Sequence, residues 1–121
     1  MLTLLFRSLS LSLSPRSVAA HQRGVRVRII TDDEKQDDQG SKAYGLKSRG
    51  ISVRNDGNGL SHMHHKFAVL DNAVLLNGSF NWTRSAVLHN RENVVISTDP
   101  GLISAFSTEF NKLWNQFSRN R

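Results

Sequence analysis

The sequence predicts an α/β fold, one mixed sheet flanked by helices, and three observations carry that prediction. Short runs with strand-like alternation recur along the chain: "VRVRII", "ISVR", "HKFAVL", "AVLLN" and "ENVVIS". A helical stripe closes it, with Ile103, Phe106, Phe110, Leu113, Trp114 and Phe117 spaced to share one face. Finally, 121 residues with 38% hydrophobic content and two prolines suit one core. Folding at this length removes about two thirds of the chain's surface from water, enough for a sheet with helices packed on it.

Each element follows from local pattern. "SVAAHQRG" reads as the end of a helix stopped by Gly24. Val25, Val27 and Ile29 then alternate with Arg26 and Arg28, as in a half-buried strand. "TDDEKQDDQGS" reads as a solvated turn, because its five acids lack the spacing and glycine of a calcium loop. Ser41 to Arg49 predicts a short helix ending at Gly50, "ISVR" a strand, and "NDGNGLS" a glycine-rich turn. From His64 the next strand sets His64, Lys66, Ala68 and Leu70 on one face and His65, Phe67 and Val69 on the other. Asp71 and Asn72 turn it into "AVLLN", which Gly78 and Ser79 break. After "ENVVIS", Asp99 caps the final helix and Pro100 takes its first position.

Composition narrows the chemistry. The absence of cysteine excludes disulfides, thiolate metal sites and cysteine nucleophiles. A net charge of +6 favours an anionic partner, such as nucleic acid, phospholipid headgroups or a phosphorylated metabolite. "MLTLLF" is too short to span a membrane before Arg7 interrupts it. The first 31 residues hold five arginines, many serines and no acid, the composition of a mitochondrial or plastid transit peptide or of an alternative start. Composition therefore divides the chain into a low-complexity segment, residues 1–19, and a domain over residues 20–121.

The chemistry concentrates in one stretch. His64, Lys66 and Asp71 form HxKxxxxD, and Gly78, Ser79 and Asn81 follow as GSxN. Six specified positions at fixed spacing resemble the phospholipase D superfamily. "MHHKFAVLDNAVLLNGSFNWT…NRENVVI" is most similar to its single-motif branch, which includes mitochondrial cardiolipin hydrolases, piRNA-processing endonucleases and bacterial nucleases. The resemblance implies a phospholipase D-like mixed sheet. It runs from about Ala20 to Phe117, and the family's opening strand is expected to be lacking, since only the helix end "VAAHQRG" is recognisable.

A phosphodiester repels nucleophiles, so its cleavage needs positive charge around the non-bridging oxygens. Lys66 and the Asn81 amide can supply donors there, and Ser79 a hydroxyl. A neutral imidazole at His64 is a competent nucleophile toward phosphorus, and the resemblance implies a phosphohistidine intermediate. It also implies that Glu92, eleven residues after Asn81, orients the imidazole. Asp71 is expected to orient Lys66 or the hairpin, or to be a plain turn residue. The expected catalytic set is therefore His64, Lys66, Asp71 and Glu92, and the phosphate-binding set Lys66, Ser79 and Asn81. A second imidazole suits protonation of the departing oxygen. One motif copy per chain then calls for a homodimer that shares His64 from each subunit.

The neighbouring groups have plainer readings. His65 is expected to be a structural histidine, His62 a groove or loop residue, and Phe80 and Trp82 either core or a contact for bases or acyl chains. Without cysteine, a zinc site from His62, His64 and His65 is disfavoured, and no cofactor or metal is expected. The zinc-binding insertion and membrane anchor of animal relatives are not visible in this sequence. The expected partners are a second copy of the chain, a phospholipid or single-stranded nucleic acid substrate, and a membrane surface. The alternative is an inactive basic module that binds phosphate on RNA or anionic lipid without turnover.

Overall fold

A computed structural model describes residues 1–6, 13–32, 39–57 and 62–120. The strands are β1 (Leu2–Phe6), β2 (Val27–Thr31), β3 (Ser52–Asn55), β4 (Phe67–Leu70), β5 (Val74–Gly78) and β6 (Val94–Ser97). The helices are α1 (Leu13–Gln22), α2 (Gln39–Lys47), α3 (Arg84–His89) and α4 (Pro100–Gln116). The strands form one mixed sheet in the order β3-β2-β1-β4-β5-β6. β1, β2 and β3 are mutually parallel, whereas β1 with β4, β4 with β5, and β5 with β6 are antiparallel.

Helices cover both faces of the sheet. Val18 of α1 and Leu46 of α2 pack with Val27, Ile29, Val53 and Ala68 on one side. Ile103 and Phe110 of α4 pack with Ile30, Phe67, Val69 and Leu75 on the other, with Phe106, Leu113 and Trp114 against them. The closing stripe is thus a core face, fixed by Asp99, whose side chain accepts from Leu102 N, and by Pro100 in the first turn. Burying side chains of this kind contributes about 1.5–3 kcal/mol each before entropy is counted.

Although the sequence predicts no strand ahead of the first helix, Leu2–Phe6 forms β1 in the middle of the sheet, between β2 and β4. A central strand reads as a continuous apolar run without alternation, so "LTLLF" carries no period to betray it. Residues 1–19, set apart by composition, supply β1 and more than half of α1. Covering on both faces also explains β2, where Val27, Ile29, Ile30 and Thr31 are all buried instead of alternating. The acid run 33–38 lies outside the described residues.

Gly24 and Gly50 end α1 and α2 at positive φ, 88° and 86°, as glycine permits. The β4–β5 turn has φ of 52° at both Asp71 and Asn72, the backbone of a tight hairpin that matches strand twist. Strand β4 begins at Phe67, three residues later than the alternation predicts. α3 was not foreseen, and Thr83 starts it by accepting from Ala86 N.

Candidate active site

The candidate site lies at the edge of the sheet where β2 ends, β4 begins, β5 ends and β6 begins. The carboxyl ends of parallel strands are where open α/β sheets place ligands. Residues 62–66 lead into β4 outside regular secondary structure. His64 and Lys66 meet there: Lys66 Nζ donates to the His64 carbonyl at 2.7 Å and stands 3.2 Å from His64 Nδ1. Lys66 is buried at 8% exposure, whereas His64 is exposed. Burying an ammonium is costly unless its donors are met, and His64 meets two of them.

A second pair forms across the β5–β6 junction. Ser79 Oγ donates to Glu92 Oε2, and Asn90 Nδ2 donates to Glu92 Oε1 at 2.8 Å. The Ser79 bond, then the Asn90 bond, lower the Glu92 carboxyl from its ordinary pKa; lost hydration opposes them and the Lys66 charge adds to them. The Lys66 charge is the weakest of these influences on Glu92. Ser79 also ties the strands, its N–H reaching the Asn93 carbonyl at 3.2 Å while its Oγ accepts from Asn93 N at 3.2 Å. Gly78 is required beside it, since a Cβ there would collide with the Asn93 carbonyl. Two residues on, Asn81 Oδ1 is sealed from water with no hydrogen-bond partner. An orphaned buried acceptor costs about 1–3 kcal/mol, which a donor arriving with a ligand would offset.

Asp71 is not brought to this cluster. It sits in the hairpin turn at the far end of β4, is 76% exposed, and pairs with the Met1 amino group. Phe80 and Trp82 meet edge to face at 5.9 Å, with Trp82 against the core on the α1/α2 side. His65 is exposed, with its ring edge-on to Phe67 at 5.8 Å.

Two acids escape the sequence reading. Asp32 and Asp56, taken as turn residues, are buried at 4% and 6%. Each directly follows the carboxyl end of a strand, β2 and β3, and that position was the available signal. His62 Nδ1 lies 3.2 Å from Asp32 Oδ2. Asp56, His62, His64, His65, Leu113 and Phe117 line a cavity of about 460 Å³ at this end of the sheet. Among the described residues no three His, Cys, Asp or Glu side chains gather as a metal-holding set.

Residues 9–114 match the family model described as "Cardiolipin synthase, PLD-like domain". The chain belongs to the PLD-like family. It is 53% identical over 97 residues to the mitochondrial cardiolipin hydrolase of Chlamydomonas reinhardtii, covering 80% of this chain and 43% of that protein. Against the human mitochondrial cardiolipin hydrolase the identity is 47% over 98 residues, covering 81% and 38%. The chain thus spans about half the length, or less, of the curated relatives it matches. Among solved structures, the phospholipase D family member Nuc from Salmonella typhimurium superposes with TM-score 0.83 at 30% identity, over 95% of this chain and 76% of that one. NucT from Helicobacter pylori shares the fold, with TM-score 0.82 at 21% identity over 94% and 78%. The PLD-like fold expected from the motif is the fold observed.

Proposed function

We propose that this PLD-like chain hydrolyses a phosphodiester, with a cardiolipin-type phospholipid as substrate, through a phosphohistidine on His64. The observation that carries the reading is the buried Lys66 ammonium held against the His64 imidazole. Such a group is expensive to bury, and a substrate phosphate that needs a cation is the return.

The step runs as a double displacement. Phosphate binding draws Lys66 Nζ from His64 Nδ1 to a non-bridging oxygen, and Nδ1 takes the ring proton, freeing the Nε2 lone pair. That pair attacks phosphorus, the P–O ester bond breaks, and its electrons leave with the alcohol oxygen, which a second imidazole protonates. Water then attacks phosphorus and gives its proton to the second imidazole, the P–N bond breaks with its electron pair returning to Nε2, and both imidazoles are regenerated. Glu92 has lone pairs beyond those given to Ser79 and Asn90, enough to accept an imidazole N–H.

The second imidazole comes from a second copy. α3 and β6 flank Glu92 with exposed apolar side chains: Val87 61%, Leu88 57%, Val94 43%, Val95 62% and Ile96 68%. An uncovered apolar edge strand is a pairing surface, and a two-fold contact here would set two sites side by side. The names of the relatives support a cardiolipin-type substrate and a mitochondrial setting. No described helix is long and apolar enough to cross a membrane; with net charge +6 the chain would meet an anionic bilayer at its surface.

The test is hydrolysis of cardiolipin in vesicles and cleavage of single-stranded RNA, both in excess EDTA, with His64→Asn as control. Cardiolipin turnover that survives chelation and vanishes in the variant is the expected result. Cleavage of RNA alone would replace the substrate, and phosphate binding without turnover of either would leave the non-catalytic module.

A further inference from the structure

A second polar cavity lies at the opposite end of the sheet, between β2 and the first half of α4, with a volume of about 340 Å³. Arg28, Asn72, Ser104, Ser107, Thr108 and Asn111 line it. We propose that it binds a phosphate group, carried by a small phosphorylated molecule or by a phospholipid headgroup, at a site separate from His64 and Lys66.

The hydrogen-bond ledger of the lining makes the case. Asn111 Oδ1 accepts from Arg28 Nη2 at 3.1 Å, and Asn72 Oδ1 accepts from Ser107 Oγ at 3.2 Å. Each amide oxygen is thereby oriented toward a neighbouring donor, and its NH₂ donors are left for a ligand. The Ser104 and Thr108 hydroxyls donate to no partner among the described residues. Arg28 Nη1 likewise donates to nothing among them, and its Nε is sealed from water without a partner. A cavity that gathers uncommitted donors around a guanidinium suits a ligand that accepts at several oxygens, which is an oxyanion. Five donor groups arriving from a strand, a hairpin turn and a helix suit a tetrahedral one.

Charge points the same way. No carboxylate pairs with Arg28 or Arg26 among the described residues. Arg28 is fixed instead by aromatic faces, its guanidinium 4.8 Å from the Phe110 ring centre and 5.4 Å from that of Trp114. Burial, and then the charges of Arg26 and Arg54, lower its pKa, the signature of a cation held without an anion. Of the acids adjoining the lining, Asp99 has Oδ1 committed to Leu102 N at 2.7 Å, and Asp71, next to Asn72, is paired with the Met1 amino group. The Phe110 ring is covered, at 0% exposure, so no aromatic face is open there to stack a nucleic-acid base. The volume stands at the small end of ligand sites, as a phosphate or headgroup requires.

The site is tested by titrating the folded protein with inorganic phosphate and following the amide resonances of residues 104–111 and the Arg28 Nε–H. Saturable shifts there, retained in His64→Asn, are expected. Thr108→Glu, at an exposed helix position, places a carboxylate in the lining and should weaken binding by about tenfold or more. Ala105→Glu adds the same charge at an exposed position of the same helix outside the lining, and should leave binding within about twofold. Arg28→Gln should abolish the shifts; if it fails to fold, the Thr108 and Ala105 variants decide alone. Sedimentation with phosphatidic-acid vesicles separates the sources: binding lost in Thr108→Glu and kept in Ala105→Glu assigns a headgroup, and phosphate shifts without vesicle binding assign a free phosphorylated molecule. Equal effects of the two glutamates, an absence of shifts, or shifts with single-stranded RNA alone would each overturn the proposal.

Discussion

Replacing Asp71 by asparagine separates the geometry of this chain from the spelling of its motif. Asp71 ends HxKxxxxD in sequence, yet β4 stands between it and Lys66. Five residues at about 3.3 Å each put the two roughly 16 Å apart. Across that span a unit charge acts on Lys66 with about 0.3 kcal/mol in a water-like dielectric, which suits a side chain 76% exposed, and physiological salt screens it further. Loss of the charge should therefore change kcat/KM by less than about twofold. Asparagine also tolerates the φ of 52° at this position, so the stability cost should stay under about 0.5 kcal/mol. Asp71→Val, β-branched at positive φ, should instead cost about 1–2 kcal/mol. Steady-state hydrolysis of a phosphodiester with parallel urea denaturation reads both effects. A loss above about tenfold in a normally folded Asp71→Asn would refute the reasoning, because no contact or field in this structure carries such an effect.

Other variants probe the remaining parts. Lys66→Met should lower turnover by about 10²- to 10³-fold, the effect of losing one donor to a developing charge, with thermal stability unchanged or raised because a buried ammonium has gone. Gly78→Ala should lower the urea midpoint by an amount equivalent to about 1–3 kcal/mol, since the new methyl must push the Asn93 backbone away and open the β5–β6 ladder. Ser79→Ala should raise the Glu92 pKa toward its ordinary value, readable by carboxyl NMR titration. The native carboxylate, with its pKa depressed on folding, contributes stability above its unfolded pKa and loses it as the pH falls through the folded one, so the variant should lose part of that contribution. Ile96→Asp, at 68% exposure, should leave the monomer folded while sedimentation shifts from dimer to monomer and turnover falls.

The elements written in local chemistry were legible in the sequence: the α4 stripe with its Asp99 cap, the glycine stops at Gly24 and Gly50, and the hairpin around Asp71 and Asn72. β1 was not, because a strand paired on both sides within a sheet need show no polar period along its sequence. α3 was not, because six residues are too few to show a helical face. In the site, His64 and Lys66 meet just before β4, as their two-residue spacing suggests, and Ser79 meets Glu92 because β5 and β6 pair at Gly78 and Val94. Of the roles expected for Asp71, the hairpin turn is where it sits, and its distance from Lys66 has the same root as the oversight of Asp32 and Asp56. Proximity along the chain says little once a strand carries residues to opposite ends of a sheet, and burial of an acid depends on which strand end it follows.

The central claim is a covalent turn at His64, and the most direct test is the stereochemical course at phosphorus. With a chiral phosphorothioate diester as substrate and isotopically labelled water, two successive in-line displacements through His64 predict retention of configuration. Inversion would mean direct attack by water and would contradict the account, whatever the rate.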